Sequence, residues 1–297
     1  TSNDLTYVLN WLEALQIRLP SKAQINNDLL VTLSVSQEDW EIGVRCNKAY
    51  QINSKLPREA FDRYECNNSM SKEPIKCSIL LNHFYHALKL HENVDVESCI
   101  ISYDNTKEEI NIRSNAQSGD GSTENIESIV KLLVNYENVE CEPIQMDESN
   151  GCQDWCCIRM ISSQLVVPLR TLVGKKSDMI KFSFSTTSPR FCLRSFIKGL
   201  PDETEAILFI ALYWIMDQRD TTCGCPVSKD VKYHKKVLSP SFSALKASTT
   251  TIILVDAKNT LKLQMFIPIV LNDTTSKDVV AEFLCLPNIE PDDEDNE

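Results

Sequence analysis

Four cysteines, Cys141, Cys152, Cys156 and Cys157, fall in one stretch, and clustered thiolates are the raw material of a metal site. A structural zinc site prefers C-x2-C pairs and four ligands, whereas the C-x3-C-C spacing here is irregular and no histidine is close. Cys223-Gly-Cys225 with His234 is the other candidate set. His83 and His86 stand at i, i+3 on a predicted helix, where a solvated face is the expected reading. The carboxylate pairs Glu108-Glu109 and Asp292-Asp293 would serve metal-assisted hydrolysis only if acids converged in a pocket. They fall at a predicted turn and in a tail, and read as solvated surface. No G-x-S-x-G, P-loop, H-E-x-x-H or C-x-x-C is present. The expectation is therefore no catalytic residue, no metal and no cofactor. A third group is cationic: Arg18, Lys89, Arg170, Lys175, Lys176 and Lys246 lie in or just after four predicted helices. Helix C-termini favour cations through the dipole, which is reason enough for their placement. The alternative is that they present a positive lining to phosphates, a contact that positions DNA without reading its sequence.

The elements that must carry these groups are bounded by composition. A chain of 297 residues suits one large domain or two of about 150. Seven glycines argue against phosphate-cradling loops and Rossmann turns. A net charge of -12 excludes a generally basic nucleic-acid binder but leaves room for a local basic patch. The twelve cysteines are scattered and no secretory segment opens the chain, so they read as small buried hydrophobes in a reducing compartment. The longest apolar run, Ala206 to Met216, has 11 residues and is too short to span a bilayer. No membrane is expected, and the chain reads as soluble and intracellular.

Leu5, Val8, Leu9, Leu12 and Leu15 follow a capping Asp4 at helical spacing, with Arg18 in the last turn and Pro20 as the stop. Leu29 to Val35, Trp40 to Arg45 and Ala49 to Ser54 read as strands. Ser78 to His91 reads as a helix with Leu80, Leu81, Phe84 and Leu88 inward and His83, His86 and Lys89 outward. Cys99 to Tyr103 and Glu109 to Arg113 form a hairpin around Asn105, Ser114 to Asn125 is a loop, and Ser128 to Tyr136 is a strand. Glu137 to Gln153 is polar, acidic and without period, a connector between halves. Cys156 to Ile161 is a strand, and Pro168 opens a short helix to Val173 closed by Gly174. Ile180 to Ser185 and Phe191 to Phe196 are strands, while Ala206 to Met216 fits either a helix or a buried strand.

The chain ends with a lysine-tipped helix in V-L-S-P-S-F-S-A-L-K-A from Val237. The strands T-T-T-I-I-L-V-D, L-K-L-Q-M-F-I-P-I-V and V-V-A-E-F-L-C-L follow, then an acidic tail. Phe84 to Lys89 (F-Y-H-A-L-K) rhymes with Phe242 to Lys246 (F-S-A-L-K), which hints at duplication. Many short strands with four helices imply large antiparallel sheets covered on one face.

These features together resemble the sliding DNA clamp family, and within it the Rad-one type of subunit of the nine-one-one checkpoint clamp. V-L-S-P-S-F-S-A-L-K-A is similar to the family's last helix and its lead-in. L-K-L-Q-M-F-I-P-I is similar to the penultimate strand, and A-E-F-L-C-L-P-N-I-E to the closing strand. Phe191 to Phe196 resembles the mid-domain strand, and Leu169 to Val173 the third helix. L-Q-M-F-I-P-I also looks like the end of a Hus-one subunit. The resemblance implies an α+β DNA-clamp fold of two similar domains, with antiparallel sheets outside and two helices each lining the inner face. The domains would be 1–136 and 154–287, joined by the connector 137–153 and followed by the tail 288–297.

It further implies a nuclear, non-catalytic subunit of a heterotrimeric ring. The expected partners are two other subunits (Rad-nine-like and Hus-one-like), a clamp loader, double-stranded DNA, and checkpoint and repair proteins. Docking partners would meet the connector at Glu137, Glu140, Pro143, Ile144 and Met146. Family chains begin with a strand before the first helix, whereas this chain reaches its helix at once, so a leading strand is missing or the numbering is truncated. The lining is also sparse in Lys and Arg beside replicative clamps. A replicative processivity clamp, another clamp subunit, an adaptor that does not touch DNA, and an exonuclease stay open as alternatives.

Overall fold

The computed structural model describes residues 2–15, 30–46, 49–61, 63–66, 74–92, 96–104, 106–117, 123–132, 143–147, 155–173, 178–186, 191–196, 206–208, 228–272 and 275–287. Two compact units divide the chain: Thr1–Val44 with Asn53–Glu140 and Pro268–Val279, and Arg45–Ile52 with Cys141–Ile267 and Val280–Glu297.

The first unit opens with α1 (Ser2–Leu15), whose Leu5, Val8, Leu12 and Leu15 are buried at the helical period that predicted it. Trp11 is wholly buried, and its indole N–H donates to Ser54 Oγ at 2.9 Å. Strands β1 (Leu30–Val35), β2 (Asp39–Cys46), β3 (Tyr50–Pro57) and β4 (Ile75–Leu80) follow. Helix α2 (Leu81–Lys89) comes next, then β5 (Val96–Asp104), β6 (Glu109–Gln117) and β7 (Thr123–Lys131).

The helix expected over Ser78 to His91 is corrected at its start, because Ser78 to Leu80 belong to β4. Ser78, Ile79 and Leu80 pair with Thr32, Val31 and Leu30 of β1, so a ladder claims the backbone that the apolar period alone gives to a helix. The loop expected over Ser114 to Asn125 is also shorter. Antiparallel pairing of β6 with β7 runs from Glu109–Lys131 to Gln117–Thr123, and lateral bonds extend both strands into polar sequence.

The second unit holds β8 (Cys156–Ile161), α3 (Ser162–Val173), β9 (Met179–Phe184), β10 (Phe191–Phe196), β11 (Ala206–Leu208) and β12 (Lys229–His234). After them come α4 (Lys235–Leu238), α5 (Phe242–Ala247), β13 (Thr250–Val255), β14 (Leu261–Asn272) and β15 (Thr275–Cys285), the end of β14 from Pro268 and the start of β15 to Val279 being counted with the first unit. Phe182 meets Tyr233 edge-on at 5.3 Å and Phe191 at 5.9 Å, an aromatic core carried by three neighbouring strands. Such pairs add about 0.5–1.5 kcal/mol beyond area burial. Pro168 is internal to α3 and not its first residue. The proline lacks the N–H for the Gln164 carbonyl but already has a helical φ, so the helix runs through it. Within the run Ala206 to Met216, the first three residues form a strand, and 209–216 lie outside the described residues.

The sheets have the orders β4-β1-β2-β3-β15-β14-β13-β8, β11-β10-β9-β12 and β5-β6-β7. The order β4-β1-β2-β3 is repeated as β12-β9-β10-β11, and β5-β6-β7 as β13-β14-β15. The rhyme between Phe84–Lys89 and Phe242–Lys246 falls on α2 and α5, which hold the same place in the two series. A topological repeat thus underlies a four-letter likeness.

His91, just past α2, is wholly buried with its ring nitrogens 2.7 Å from Ser114 Oγ and 2.9 Å from Ser128 Oγ. Burial lowers its pKa below the ordinary 6.5. The folded state then refuses a proton that the unfolded chain accepts. The stability held by the neutral ring is present above 6.5 and is lost as pH falls below it. The melting temperature of the first unit is expected to fall on acidification through this range, and less so in His91→Asn. An identical profile in that variant would remove His91 as the cause.

Candidate nucleic-acid interface

Each unit packs two helices side by side, α1 against α2 and α3 against α5. In α2, Leu81, Phe84, Tyr85 and Leu88 are buried, which turns His83, His86 and Lys89 outward. Lys89 donates to the Tyr85 hydroxyl at 3.1 Å and lies 5.3 Å from that ring's centroid. The hydroxyl bond raises the pKa of the Lys89 ammonium above its usual value, so the cation is both fixed and fully charged.

In α3, Leu165, Leu169 and Leu172 are buried, leaving Ser163, Val167, Arg170 and Thr171 exposed. The start of α3 is tied to the end of α5 by a buried hydroxyl cluster. Ser162 Oγ is 2.7 Å from both Thr251 Oγ1 and Ser248 Oγ, and Ser162 N–H donates to the Thr249 carbonyl at 2.9 Å. Lys246, exposed in the last turn of α5, therefore lies near the Ser162 junction. Arg170 sits eight residues further on, about 12 Å along the axis at 1.5 Å per residue. The α3–α5 pair thus presents cations spaced along its length with polar and apolar surface between them.

Arg18, Lys175 and Lys176 lie outside the described residues, so three of the six expected cations are placed and each is exposed. Among the described residues no carboxylate is within salt-bridge distance of Arg170 or Lys246. On the strands, by contrast, Lys55 pairs with Glu41, Arg113 with Glu127, Lys131 with Glu109 and Lys262 with Glu282. Helix cations held away from carboxylates keep their field for an external anion.

The other chemistry-bearing residues separate. Cys156 is buried and Cys157 half-buried on successive positions of β8, and successive strand residues point to opposite faces. Cys141, Cys152, Cys223 and Cys225 lie outside the described residues, while the His234 ring accepts from Lys236 N–H at 3.3 Å and caps α4. The solvated reading of Glu109 is corrected: it is buried and paired with Lys131, because the β6–β7 ladder draws it in. Glu108 keeps its turn place, with a left-handed φ of 55°. Asp292-Asp293 are outside the described residues. Among the described residues no three His, Cys, Asp or Glu side chains converge, and no helix is long and apolar enough to cross a membrane.

Of the connector, Glu137 and Glu140 lie outside the described residues. Pro143 is exposed, and Ile144 and Met146 are half-buried. Sequence reasoning missed the residues that hold this segment: Gln51 Oε1 accepts from Ile144 N–H at 3.0 Å, and Asp256 Oδ2 accepts from Asp147 N–H at 2.7 Å. They are 93 and 109 positions distant, and no local pattern signals them.

The arrangement has counterparts among known proteins. No curated protein matches the chain. A solved chain of the PCNA2–PCNA3 complex from Sulfolobus tokodaii superimposes with a TM-score of 0.57 at 13% identity, covering 97% of each chain. At that identity the likeness establishes the fold alone. The α+β DNA-clamp architecture expected from the sequence is the one found. The family described as Repair protein Rad1/Rec1/Rad17 matches residues 5–267, nearly the whole chain. With paired helices and repeated sheets in each half, the chain belongs to the Rad1/Rec1/Rad17 family of repair proteins and has the sliding-clamp fold.

Proposed function

We propose that this chain is a non-catalytic subunit of a heterotrimeric ring that encircles duplex DNA in the nucleus and recruits checkpoint and repair factors. The observation that carries the proposal is the sheet repeat. Strand β3 has β15 as its neighbour, while among the described residues their equivalents in the repeat, β11 and β7, stand at sheet edges. Open edges invite strand addition. An edge of one kind at one place and its complement at another gives a head-to-tail interface, which makes a ring if the rotation closes. Two further clamp subunits, Rad-nine-like and Hus-one-like, would fill the ring, and a clamp loader would open it.

In this reading, 1–136 and 154–287 are the clamp domains and their helices face the DNA. Arg18, Lys89, Arg170, Lys175, Lys176 and Lys246 make loose phosphate contacts, and enclosure does the rest. Glu137, Glu140, Pro143, Ile144 and Met146 offer the docking strip for recruited proteins.

Co-expression with the two candidate subunits is expected to yield a 1:1:1 particle by mass photometry. Once loaded on nicked circular DNA, that particle should survive a high-salt wash and run off when the circle is cut. A homotrimer of this chain alone would instead indicate a processivity clamp. Equal retention on cut and closed DNA would sink the ring.

A further inference from the structure

We infer that Gln51, Trp155 and Asp256 are positioning residues that hold the connector segment 143–147 as a pinned strap on the second unit. Gln51, only 4% exposed, accepts the Ile144 N–H through Oε1 at 3.0 Å. Asp256, wholly buried, divides its carboxylate: Oδ2 accepts Asp147 N–H and Oδ1 accepts Thr260 N–H, each at 2.7 Å. Trp155 Nε1–H donates to the Asp147 carbonyl at 3.0 Å, and Lys258 Nζ is 3.3 Å from the Asp147 carboxylate. One residue is thus gripped by its N–H, its carbonyl and its side chain.

The anchor itself is rigid. Asp256 N–H donates to the Thr260 carbonyl at 3.2 Å, Asn259 N–H donates to the Asp256 carbonyl at 3.1 Å, and Tyr233 Oη–H donates to the Asn259 carbonyl at 2.8 Å. Asn259 has a φ of 70°, a left-handed turn that asparagine tolerates. A buried carboxylate that accepts from backbone N–H groups at both oxygens is specific to Asp. An amide of the same shape turns an N–H toward one of the two donors.

Between the pinned residues, the backbones of Gln145 and Met146 have no hydrogen-bond partner among the described residues. Among the described residues, the strap is therefore fixed at Ile144 and Asp147 and unbonded between them. Four of the residues that fix it, Gln51, Trp155, Asp256 and Lys258, lie outside the expected docking strip. The functional weight of the strap rests on the docking role proposed for the connector, whereas its geometry does not.

Residue-resolved amide exchange on the full-length chain in its assembly tests the inference. The wild type is expected to protect Ile144 and Asp147 while Gln145 and Met146 exchange freely. Asp256→Ala, which removes both acceptors, should speed exchange at Asp147 by about tenfold or more and leave Ile144 nearly unchanged, and Gln51→Leu should do the reverse. Protection in β13 reports the fold, and Trp155→Phe, which deletes one donor and keeps a ring, serves if Asp256→Ala unfolds. Unprotected Asp147 in the wild type overturns the strap. So does unchanged Asp147 exchange in folded Asp256→Ala or, where that variant unfolds, in Trp155→Phe. The docking reading fails separately: Ile144→Asp with Met146→Asp would then leave partner retention intact while the exchange pattern stands.

Discussion

Replacing Lys89, Arg170 and Lys246 together by glutamine is expected to lower the affinity of the proposed ring for linear duplex DNA on the order of a hundredfold at physiological salt. Each lost phosphate contact removes about 0.9 from the slope of log affinity against log salt, so the triple variant should flatten that slope by roughly 2.7. Glutamate in the same places should weaken binding further. All three side chains are exposed, and their helices are held by the opposite faces, through Phe84 and Leu88, Leu165 and Leu169, and Ala244 and Leu245. Melting should therefore move little. Retention on closed circular DNA should also survive, since enclosure needs no charge. A salt titration on linear DNA, paired with a wash of circular DNA, separates the two contributions. An unchanged salt slope would show that these cations do not meet phosphate.

The second large effect lies in the first unit. Trp11→Ala is expected to destabilise that unit by about 3–5 kcal/mol, the usual cost of emptying a large buried site. Trp11 has no exposed surface, and its neighbours Leu12 and Leu15 are nearly as deep. The change also removes the indole donor to Ser54, itself 1% exposed. Trp11→Phe keeps most of the volume and loses that hydrogen bond, so about 1–3 kcal/mol is expected. Two units need not melt as one, so amide exchange is the appropriate readout. Protection of β1 and β2 should fall while that of β13 holds. If Trp11→Ala lies within about 1 kcal/mol of the wild type, α1 is not a keystone of this unit.

Local pattern was enough for much of this molecule. The spacing of Leu5, Val8, Leu12 and Leu15 places α1, and alternation places Cys156–Ile161 and Phe191–Phe196 at the bounds they occupy. These segments succeed because burial of one face is a short-range property of the chain. Local pattern failed where bonds come from afar. Ser78 to Leu80 look helical until β1 pairs with them, and the polar ends of β6 and β7 look like loop until each completes the other. Strand β12 (K-D-V-K-Y-H) went unpredicted because its charges mask the alternation that buries Val231 and Tyr233.

The candidate interface divides in the same way. The sequence put Lys89 on an outward helix face and Arg170 and Lys246 in helices, and the structure leaves all three exposed. Sequence also carried the family likeness. Tertiary structure decided that α3 begins beside the end of α5, through Ser162, Ser248 and Thr251. It decided that the sheet order repeats, and that Gln51 and Asp256 reach across about a hundred residues to hold the connector. The physical reason is range. Periodicity records which side of an element meets the core, but a hydrogen bond between distant segments leaves no trace in the spacing of either one.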